Sequence, residues 1–221
     1  MPAFNAGKTI QKAIRDIKAV YGKTSLIVIN DGSTDNTKNI INKFDVILID
    51  NEKNLGIGAS LKKGIDLGLK KNMDLFLTIG ADSQRDVKDI DLLLNEINNN
   101  GCDIVFGSKF LLKGQKIPFL RKYGNIIINV ALNKLFRANF SDATSGFKIF
   151  NKKVASNLGN LADSYAFDID LCIKVLKNRY NYREVPVKVF YHKNSSKMKN
   201  IFFVGSDILL TIIKRRIKKE K

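Results

Sequence analysis

The sequence predicts an α/β fold in which a mostly parallel sheet is flanked by helices on both faces. Two observations favour it. Short continuous apolar runs, the kind that parallel sheets bury on both faces, alternate with segments of helical apolar spacing. Polar and glycine-containing turns follow several of these runs, where open α/β sheets hold their ligands. The chain of 221 residues is long enough for one domain with a substantial core.

In the first half of the chain, strands and helices alternate. Strands are predicted at 25–30, 44–50, 73–79 and 102–108. Apolar spacing predicts helices at 10–20, 57–69 and 87–97, and capping residues predict a short one after 33–37. This strand–helix–strand order is what predicts the parallel sheet.

The second half of the chain is less regular. Helical spacing covers 123–136 and 167–176, and strands are predicted in GFKIF (146–150) and YREVPVKVFY (182–191). The segment 201–213 is mainly apolar with one acid, Asp207, and is followed by a basic run. We predict an amphipathic basic tail helix over 200–221 that lies on an anionic membrane surface without spanning the bilayer. The alternative is a helix packed on the domain's own core.

The composition indicates an anionic partner. The chain has 38 Lys and Arg against 21 Asp and Glu, a formal charge of +17. Nucleic acid, phosphorylated small molecules and an anionic membrane all suit such a charge. Because no nucleic-acid motif or aromatic-rich basic strand is present, we predict no nucleic-acid partner. Cys102 and Cys172 match no zinc spacing and are predicted to be buried, reduced thiols.

Three polar turns are candidate ligand sites. In INDGSTD, Asp31 follows a strand, and its carboxylate can accept hydrogen bonds from a base or ribose. The alternative is that this segment is a plain capping turn. In NLGIG, Asn54 and Gly58 precede a helix, where glycines let a backbone approach phosphate. In GADSQ, the oxygens of Asp82 and Gln84 suit Mg²⁺ or Mn²⁺ on a diphosphate, unless this is a surface turn.

Taken together, the motifs are more specific than any one of them. They read PAFNAGKTI, INDGSTDNT, NLGIGASLKKG, GADSQRD, FGSKF, DATSGFKIF, YAFDIDL, REVPVKV and SSKMK. In this order they resemble family 2 glycosyltransferases of the GT-A fold, and within them the polyprenyl-phosphate (dolichyl-phosphate) hexosyltransferases. The resemblance runs from residue 2 to about 199, so residues 1–199 are expected to form the GT-A domain.

The resemblance implies an inverting transfer of a hexose from UDP-glucose or GDP-mannose to a polyprenyl phosphate, with Mg²⁺ or Mn²⁺. It places the enzyme in the cytoplasm, peripheral at the inner face of the membrane. The nucleophile is a phosphate oxygen that is already anionic, so no strong general base is required.

The resemblance also assigns residues. Pro2, Phe4, Asn5, Asp31, Asn54, Gly58 and Asp82 match nucleotide-sugar-binding positions, and Asp82 and Gln84 match the metal and diphosphate positions. Lys109, Arg121 and Lys197 match cations that the family places near phosphate, although the family usually has Arg at the position of Lys109. The expected catalytic residues are Asp82, Arg121 and Lys197. Asp168 and Asp170 match an acidic pair in the acceptor region, with no role assigned.

The sequence departs from the family pattern in two places. The metal motif usually reads D-A-D, whereas here its first position is Gly80. The family also opens with a buried central strand before the PAFN-type segment, and here Met1 directly precedes Pro2. We therefore expect the first central strand to be missing or truncated, with a slot through the core, and we expect an upstream extension to restore it.

Three alternatives remain open at this point. One is a glycosyltransferase with a different acceptor, and another is a degenerate homologue that binds nucleotide or lipid without turnover. A nucleic-acid-binding module is the third, which only the charge supports.

Overall fold

The computed structural model describes residues 1–22, 24–191 and 201–217. The seven strands found in this part of the chain are β1 Pro2–Ala3, β2 Ile27–Asp31, β3 Ile47–Asn51, β4 Leu75–Thr78, β5 Ile104–Ser108, β6 Lys148–Asn151 and β7 Tyr182–Pro186. The helices are α1 Ile10–Val20, α2 Thr37–Ile41, α3 Ile57–Lys70, α4 Ile90–Asn99, α5 Phe119–Phe136, α6 Lys152–Ala155, α7 Phe167–Lys177 and α8 Ile201–Ile217, and a 3₁₀ turn, Val87–Asp89, precedes α4.

The strands form two sheets. In the first, β1, β2 and β3 pair in parallel in that order. In the second, the order is β4-β6-β5-β7, and β6 runs antiparallel to both of its neighbours while β5 and β7 are parallel. The predicted mostly parallel sheet with helices on both faces is confirmed. The antiparallel β6 is the difference, and it follows the long excursion through α5.

Two apolar clusters cover the two faces of these sheets. Residues of α1 and α4 pack on one face, and residues of α3, α5, α7 and α8 pack on the other. Both cysteines are buried free thiols, as predicted. No helix in the described ranges is long and apolar enough to cross a membrane.

The first strand is short. Pro2 and Ala3 pair with Ile29 and Asn30, and the N–H of Ile29 donates to the carbonyl of Met1 at 2.9 Å. Strand β4 pairs with β6, and no pairing joins it to β1 or β2 in the described residues. An apolar cavity of about 490 Å³, here called the sheet slot, lies between β2 and β4 and is lined by residues that include Met1, Ile29, Ile65, Phe76 and Ile149. The first strand is therefore short and a slot lies beside it, as expected.

Helix α8 packs onto the domain with one face. Ile208 and Ile212 are buried in the core, and the guanidinium of Arg215 donates to both carboxylate oxygens of Asp170 at 2.9 and 2.8 Å. The hydroxyl of Ser164 donates to Asp207 at 2.5 Å. The tail thus belongs partly to the core, as in the alternative above, while its other face is exposed. The predicted boundary at 199 and the basic residues after 217 lie outside the described residues.

Candidate active site

Loops after β1, β2 and β4 meet at one edge of the structure because parallel strands deliver their carboxyl ends there. The N–H of Asn5 donates to Oγ of Ser33 at 3.0 Å, and the N–H of Thr34 donates to Oδ1 of Asn5 at 2.9 Å. The N–H of Ala6 donates to Oγ1 of Thr37 at 2.8 Å. These bonds join the PAFN loop to the DGST loop and hold Asn5 at a positive φ of 48°.

The loop after β4 joins the same cluster through Thr9. The Thr9 hydroxyl donates to the carbonyl of Ala81 at 2.8 Å, and the Ser83 hydroxyl donates to the carbonyl of Thr9 at 3.1 Å. Asp82 therefore lies beside the two loops that contain Phe4, Asn5 and Asp31. The sequence-predicted nucleotide residues of these three loops are brought together. Phe4 is exposed and Pro2 lies within β1.

Asp31 is buried and its carboxylate is engaged by the chain itself. It accepts hydrogen bonds from Nδ2 of Asn51 at 2.9 Å and from the N–H groups of Leu55 and Gly56 at 2.9 and 3.0 Å. Asp31 thus shapes the turn that contains Asn54, which is exposed. The contact of Asp31 with the nucleotide stays a prediction. Only the carboxylate lone pairs that these three hydrogen bonds leave free can make it.

Gly58 makes a close approach to the chain's own backbone. A Cβ on Gly58 would lie 2.1 Å from the carbonyl oxygen of Ala162, and the N–H groups of Gly58 and Ala59 donate to the carbonyl of Asp163 at 2.8 and 3.1 Å. The start of α3 is therefore capped by the segment before α7. This role differs from the phosphate contact that we expected of Gly58.

The turn 80–84 offers one carboxylate, that of Asp82. The N–H of Gln84 donates to Oδ1 of Asp82 at 3.1 Å. No group of three His, Cys, Asp or Glu side chains is arranged to hold a metal ion in the described ranges. Mg²⁺ keeps several waters and often takes one or two carboxylates plus substrate phosphates, so Asp82 with a diphosphate fits such an ion. Nε2 of Gln84 is buried without a hydrogen-bond partner among the described residues, and a donor suits a phosphate oxygen.

Lys109 is committed to an ion pair. Its ammonium group lies 2.7 Å from both carboxylate oxygens of Asp142, and both side chains are buried. Burial lowers the pKa of Lys109, the Asp142 carboxylate opposes this shift, and the charges of Arg85 and Arg121 add to the lowering. Glu184 holds the same loop by accepting from the N–H groups of Ser141 and Asp142 at 2.7 and 2.9 Å. Lys109 therefore lies near the site with its charge already paired.

Arg121 lies in the first turn of α5 beside two tyrosines. Its guanidinium carbon is 5.6 Å from the ring centre of Tyr191. Burial raises the pKa of Tyr165, the charge of Asp82 adds to this rise, and the charge of Arg121 opposes it. The charges of Asp82 and Arg121 thus act in opposite directions on the same hydroxyl group. Lys197 lies outside the described residues.

Asp168 and Asp170 serve as anchors. Asp168 pairs with Lys148, which is fully buried in β6 between the rings of Phe106 and Phe167. Burial raises the pKa of Asp168, and Lys148 opposes the shift. Asp170 holds Arg215 of α8 and accepts from the N–H of Ala162 at 2.8 Å.

Sequence reasoning missed Arg85, Tyr165, Tyr191 and Lys148. Arg85 directly follows the GADSQ turn, so its position could have been noticed. Nothing in the local pattern marks the two tyrosines or Lys148, because their neighbours come from distant parts of the chain.

Comparisons with known proteins identify the family of this chain. The family model described as “Glycosyl transferase family 2” matches residues 1–159. An uncharacterized protein of Methanocaldococcus jannaschii is 28% identical over 221 residues, which cover 98% of this chain and 90% of that protein. The UDP-N-acetylglucosamine–dolichyl-phosphate N-acetylglucosaminyltransferase of Methanococcus voltae is 25% identical over 242 residues, covering 99% of this chain and 95% of that enzyme. The polyprenol monophosphomannose synthase of Mycolicibacterium smegmatis is 22% identical over 198 residues, covering 85% and 74%.

Among solved structures, glucosyl-3-phosphoglycerate synthase from Mycobacterium tuberculosis gives a TM-score of 0.80 at 18% identity, covering 100% of this chain and 79% of that one. A further structure of that enzyme contains Mn²⁺, UDP-glucose and phosphoglyceric acid and gives a TM-score of 0.79. At this identity the likeness shows the fold, and it confirms the predicted GT-A architecture.

Proposed function

Since this chain belongs to glycosyltransferase family 2, we propose that it transfers a hexose from a nucleotide sugar to a polyprenyl phosphate. The enzyme class follows from the family, and the acceptor from relatives whose names specify dolichyl or polyprenol acceptors. UDP-glucose, GDP-mannose and, from the Methanococcus relative, UDP-N-acetylglucosamine are the candidate donors. The supporting observation is that the 80–85 segment, with Asp82, lies between the nucleotide loops and a group of cations.

The proposed reaction needs two anions held side by side. The phosphate oxygen of the acceptor attacks the anomeric carbon, the bond from that carbon to the nucleoside diphosphate breaks, and the configuration inverts. Phe4, Asn5 and Asn54 border the nucleotide, and Asp31 keeps the neighbouring turn in shape. Asp82 lies next to the diphosphate, and Arg121 offsets phosphate charge on the other side. A divalent ion held by Asp82 and the diphosphate would offset the charge of the leaving group.

Membrane attachment is part of the proposal, because a polyprenyl phosphate resides in a bilayer. Helices α5 and α8 pack against each other. Large apolar side chains on both are exposed, here called the α5–α8 face: Phe119, Leu120, Tyr123, Ile127, Val130, Phe203, Leu210, Ile213 and Ile217. Exposed Lys122, Lys134, Lys214 and Arg216 on the same helices suit anionic headgroups. We propose that this face lies on the cytoplasmic leaflet and brings Arg121 of α5 to the lipid phosphate.

A transfer assay tests the function. The full chain is incubated with Mg²⁺ or Mn²⁺, a radiolabelled nucleotide sugar and a polyprenyl phosphate, and label is followed into the organic phase. The matched controls are the polyprenol without phosphate and the Asp82→Ala variant, both of which should give no labelled lipid. Labelled product from a soluble phosphorylated acceptor, and none from lipid, would favour the alternative of a different acceptor.

A further inference from the structure

Arg85 has a guanidinium group without a committed partner. Its Nη1 is buried and makes no hydrogen bond to any residue that the structure describes. The guanidinium carbon lies 5.7 Å from the ring centre of the buried Phe147. A buried donor of a charged group left unpaired is costly. A ligand that supplies an acceptor to Nη1 would remove this cost.

The backbone at Arg85 is held by a segment that is distant in sequence. Arg85 forms an antiparallel bridge with Val189, and the N–H of Phe190 donates to the carbonyl of Gln84 at 2.8 Å. These contacts join the end of the metal-motif turn to the segment that leads to Tyr191. Arg85 is thus held in place before any ligand arrives, which lowers the entropy cost of binding.

The charge of Arg85 acts on groups of both signs, the ammonium group of Lys109 and the carboxylates of Asp89 and Asp168. Burial raises the pKa of the Tyr191 hydroxyl, and the charges of Arg85 and Arg121 both oppose this rise. The charge of Arg85 also lowers the pKa of Lys109, but the ammonium group of Lys109 is paired with Asp142 at 2.7 Å. Among the described residues, Arg85 forms no ion pair, and its Nη1 has no hydrogen-bond partner.

We propose that Arg85 binds the phosphate group of the acceptor, in the position that the sequence pattern had suggested for Lys109. The inference rests on the proposed function. The donor side of the turn is joined to the PAFN loop through Thr9, Ala81 and Ser83. Arg85 instead stacks on Phe147 and forms a bridge with Val189, two residues before Tyr191. The planar guanidinium offers two parallel N–H donors to phosphate, which an ammonium group does not.

The test measures phosphate binding without the donor. Full-length wild type, Arg85→Gln and Arg85→Lys are titrated calorimetrically with geranyl monophosphate, with geraniol and, separately, with UDP. The matched control is Arg183→Gln, since Arg183 is an exposed arginine on β7 that pairs with Glu96 at 3.7 Å. Melting temperature is recorded for every variant.

We expect Arg85→Gln to weaken geranyl monophosphate binding by about tenfold or more, which is about 1.4 kcal/mol. Arg85→Lys should lose less, and the UDP affinity of both variants and all affinities of Arg183→Gln should match wild type. The melting temperature of Arg85→Gln should not fall, because an unpaired charge has been removed. A structural residue would show the opposite pattern, a lower melting temperature with unchanged phosphate affinity, and that result would overturn the proposal.

Three other outcomes overturn it: wild type binding geraniol as tightly as its phosphate, Arg85→Gln losing UDP affinity alone, or sugar transfer with an unchanged acceptor KM in Arg85→Gln. The last leaves the proposed function intact. Arg85-dependent phosphate binding by a wild type that transfers no sugar would instead support the phosphate site and remove the proposed function. If Arg85→Gln does not fold, Arg85→Lys decides, with a reduced phosphate affinity supporting the assignment and an unchanged one rejecting it.

Discussion

Gly80 stands where the family's metal motif usually has a carboxylate. It is not among the glycines with a positive φ, and a Cβ on it would lie 3.3 Å from Oδ1 of Asp82, the far end of a flexible side chain. The backbone therefore accepts a side chain at this position. This argues against the idea that Gly80 is retained for its conformational freedom.

We predict that Gly80→Asp lowers the metal concentration for half-maximal transfer by about tenfold, as expected if one charged contact of about 1.4 kcal/mol returns. Metal titrations of transfer activity measure it, with Gly80→Asn as the uncharged control of similar shape. If wild type and Gly80→Asp are both inactive with every donor and lipid acceptor while nucleotide still binds, the chain is a binding homologue without turnover.

At the scale of elements, the start of α3 depends on the segment before α7. The carbonyl of Asp163 accepts the N–H groups of Gly58 and Ala59, so the helix end is satisfied internally. Gly58 is required there because the backbone of Ala162 leaves no room for a Cβ. The glycine motif thus packs two elements that are a hundred residues apart in sequence.

We predict that Gly58→Ala lowers the free energy of unfolding by about 1–3 kcal/mol, because the added methyl group forces the backbone at 162 to move. Urea unfolding measures the change. The control is Gly124→Ala in α5, where an added Cβ meets nothing within 4 Å; it should raise stability by up to about 1 kcal/mol through helix propensity. Equal effects of the two changes would contradict the tight contact.

The α5–α8 face is the other feature at this scale. Sequence reasoning assigned membrane binding to the tail alone, whereas exposed apolar residues of α5 now contribute as much surface. Deleting the tail is a poor test because Ile208 and Ile212 of α8 lie in the core. Substitutions of exposed residues leave that packing intact.

We predict that the double change Ile127→Ser and Val130→Ser reduces flotation with anionic phospholipid vesicles, since both side chains would enter the interface. Leu92→Ser on α4, a comparably exposed apolar residue, is the control and should float like wild type. Neutral vesicles should bind all variants more weakly, because each basic residue near an anionic surface adds about 1 kcal/mol. Loss of flotation in the Leu92 variant alone would place the membrane surface elsewhere.

At the scale of the whole molecule, the sheet slot divides what would otherwise be one continuous sheet. Strand β1 pairs with β2 over two residues, and the facing edge of β4 has no strand partner in the described ranges. Apolar side chains on both sides of the slot lose packing contacts that a strand would provide. A cavity of about 490 Å³ lies in this part of the core.

We predict that adding five β-branched apolar residues before Met1 raises the melting temperature, since they can pair with both β2 and β4. Each kcal/mol gained is worth about 2–4 °C for a protein of this size. An extension of five Gly and Ser residues is the control, and it should leave the melting temperature unchanged. The same melting temperature for both extensions would show that the slot does not accept a strand.

The sequence by itself determined the order of strands and helices, the family and the shortness of the first strand. Apolar periodicity is a local property that each segment shows on its own, and ordered motifs add up along the chain. Only the tertiary structure decided what the candidate residues contact. Lys109 finds Asp142, 33 residues away, Asp31 turns to its own neighbouring loop, and Gly58 meets the segment before α7. The physical reason is that a charged or polar side chain pairs with a group that is close in space, and that group can be distant in sequence. Arg85, which no motif had marked, is left with a buried Nη1 that has no hydrogen-bond partner among the described residues.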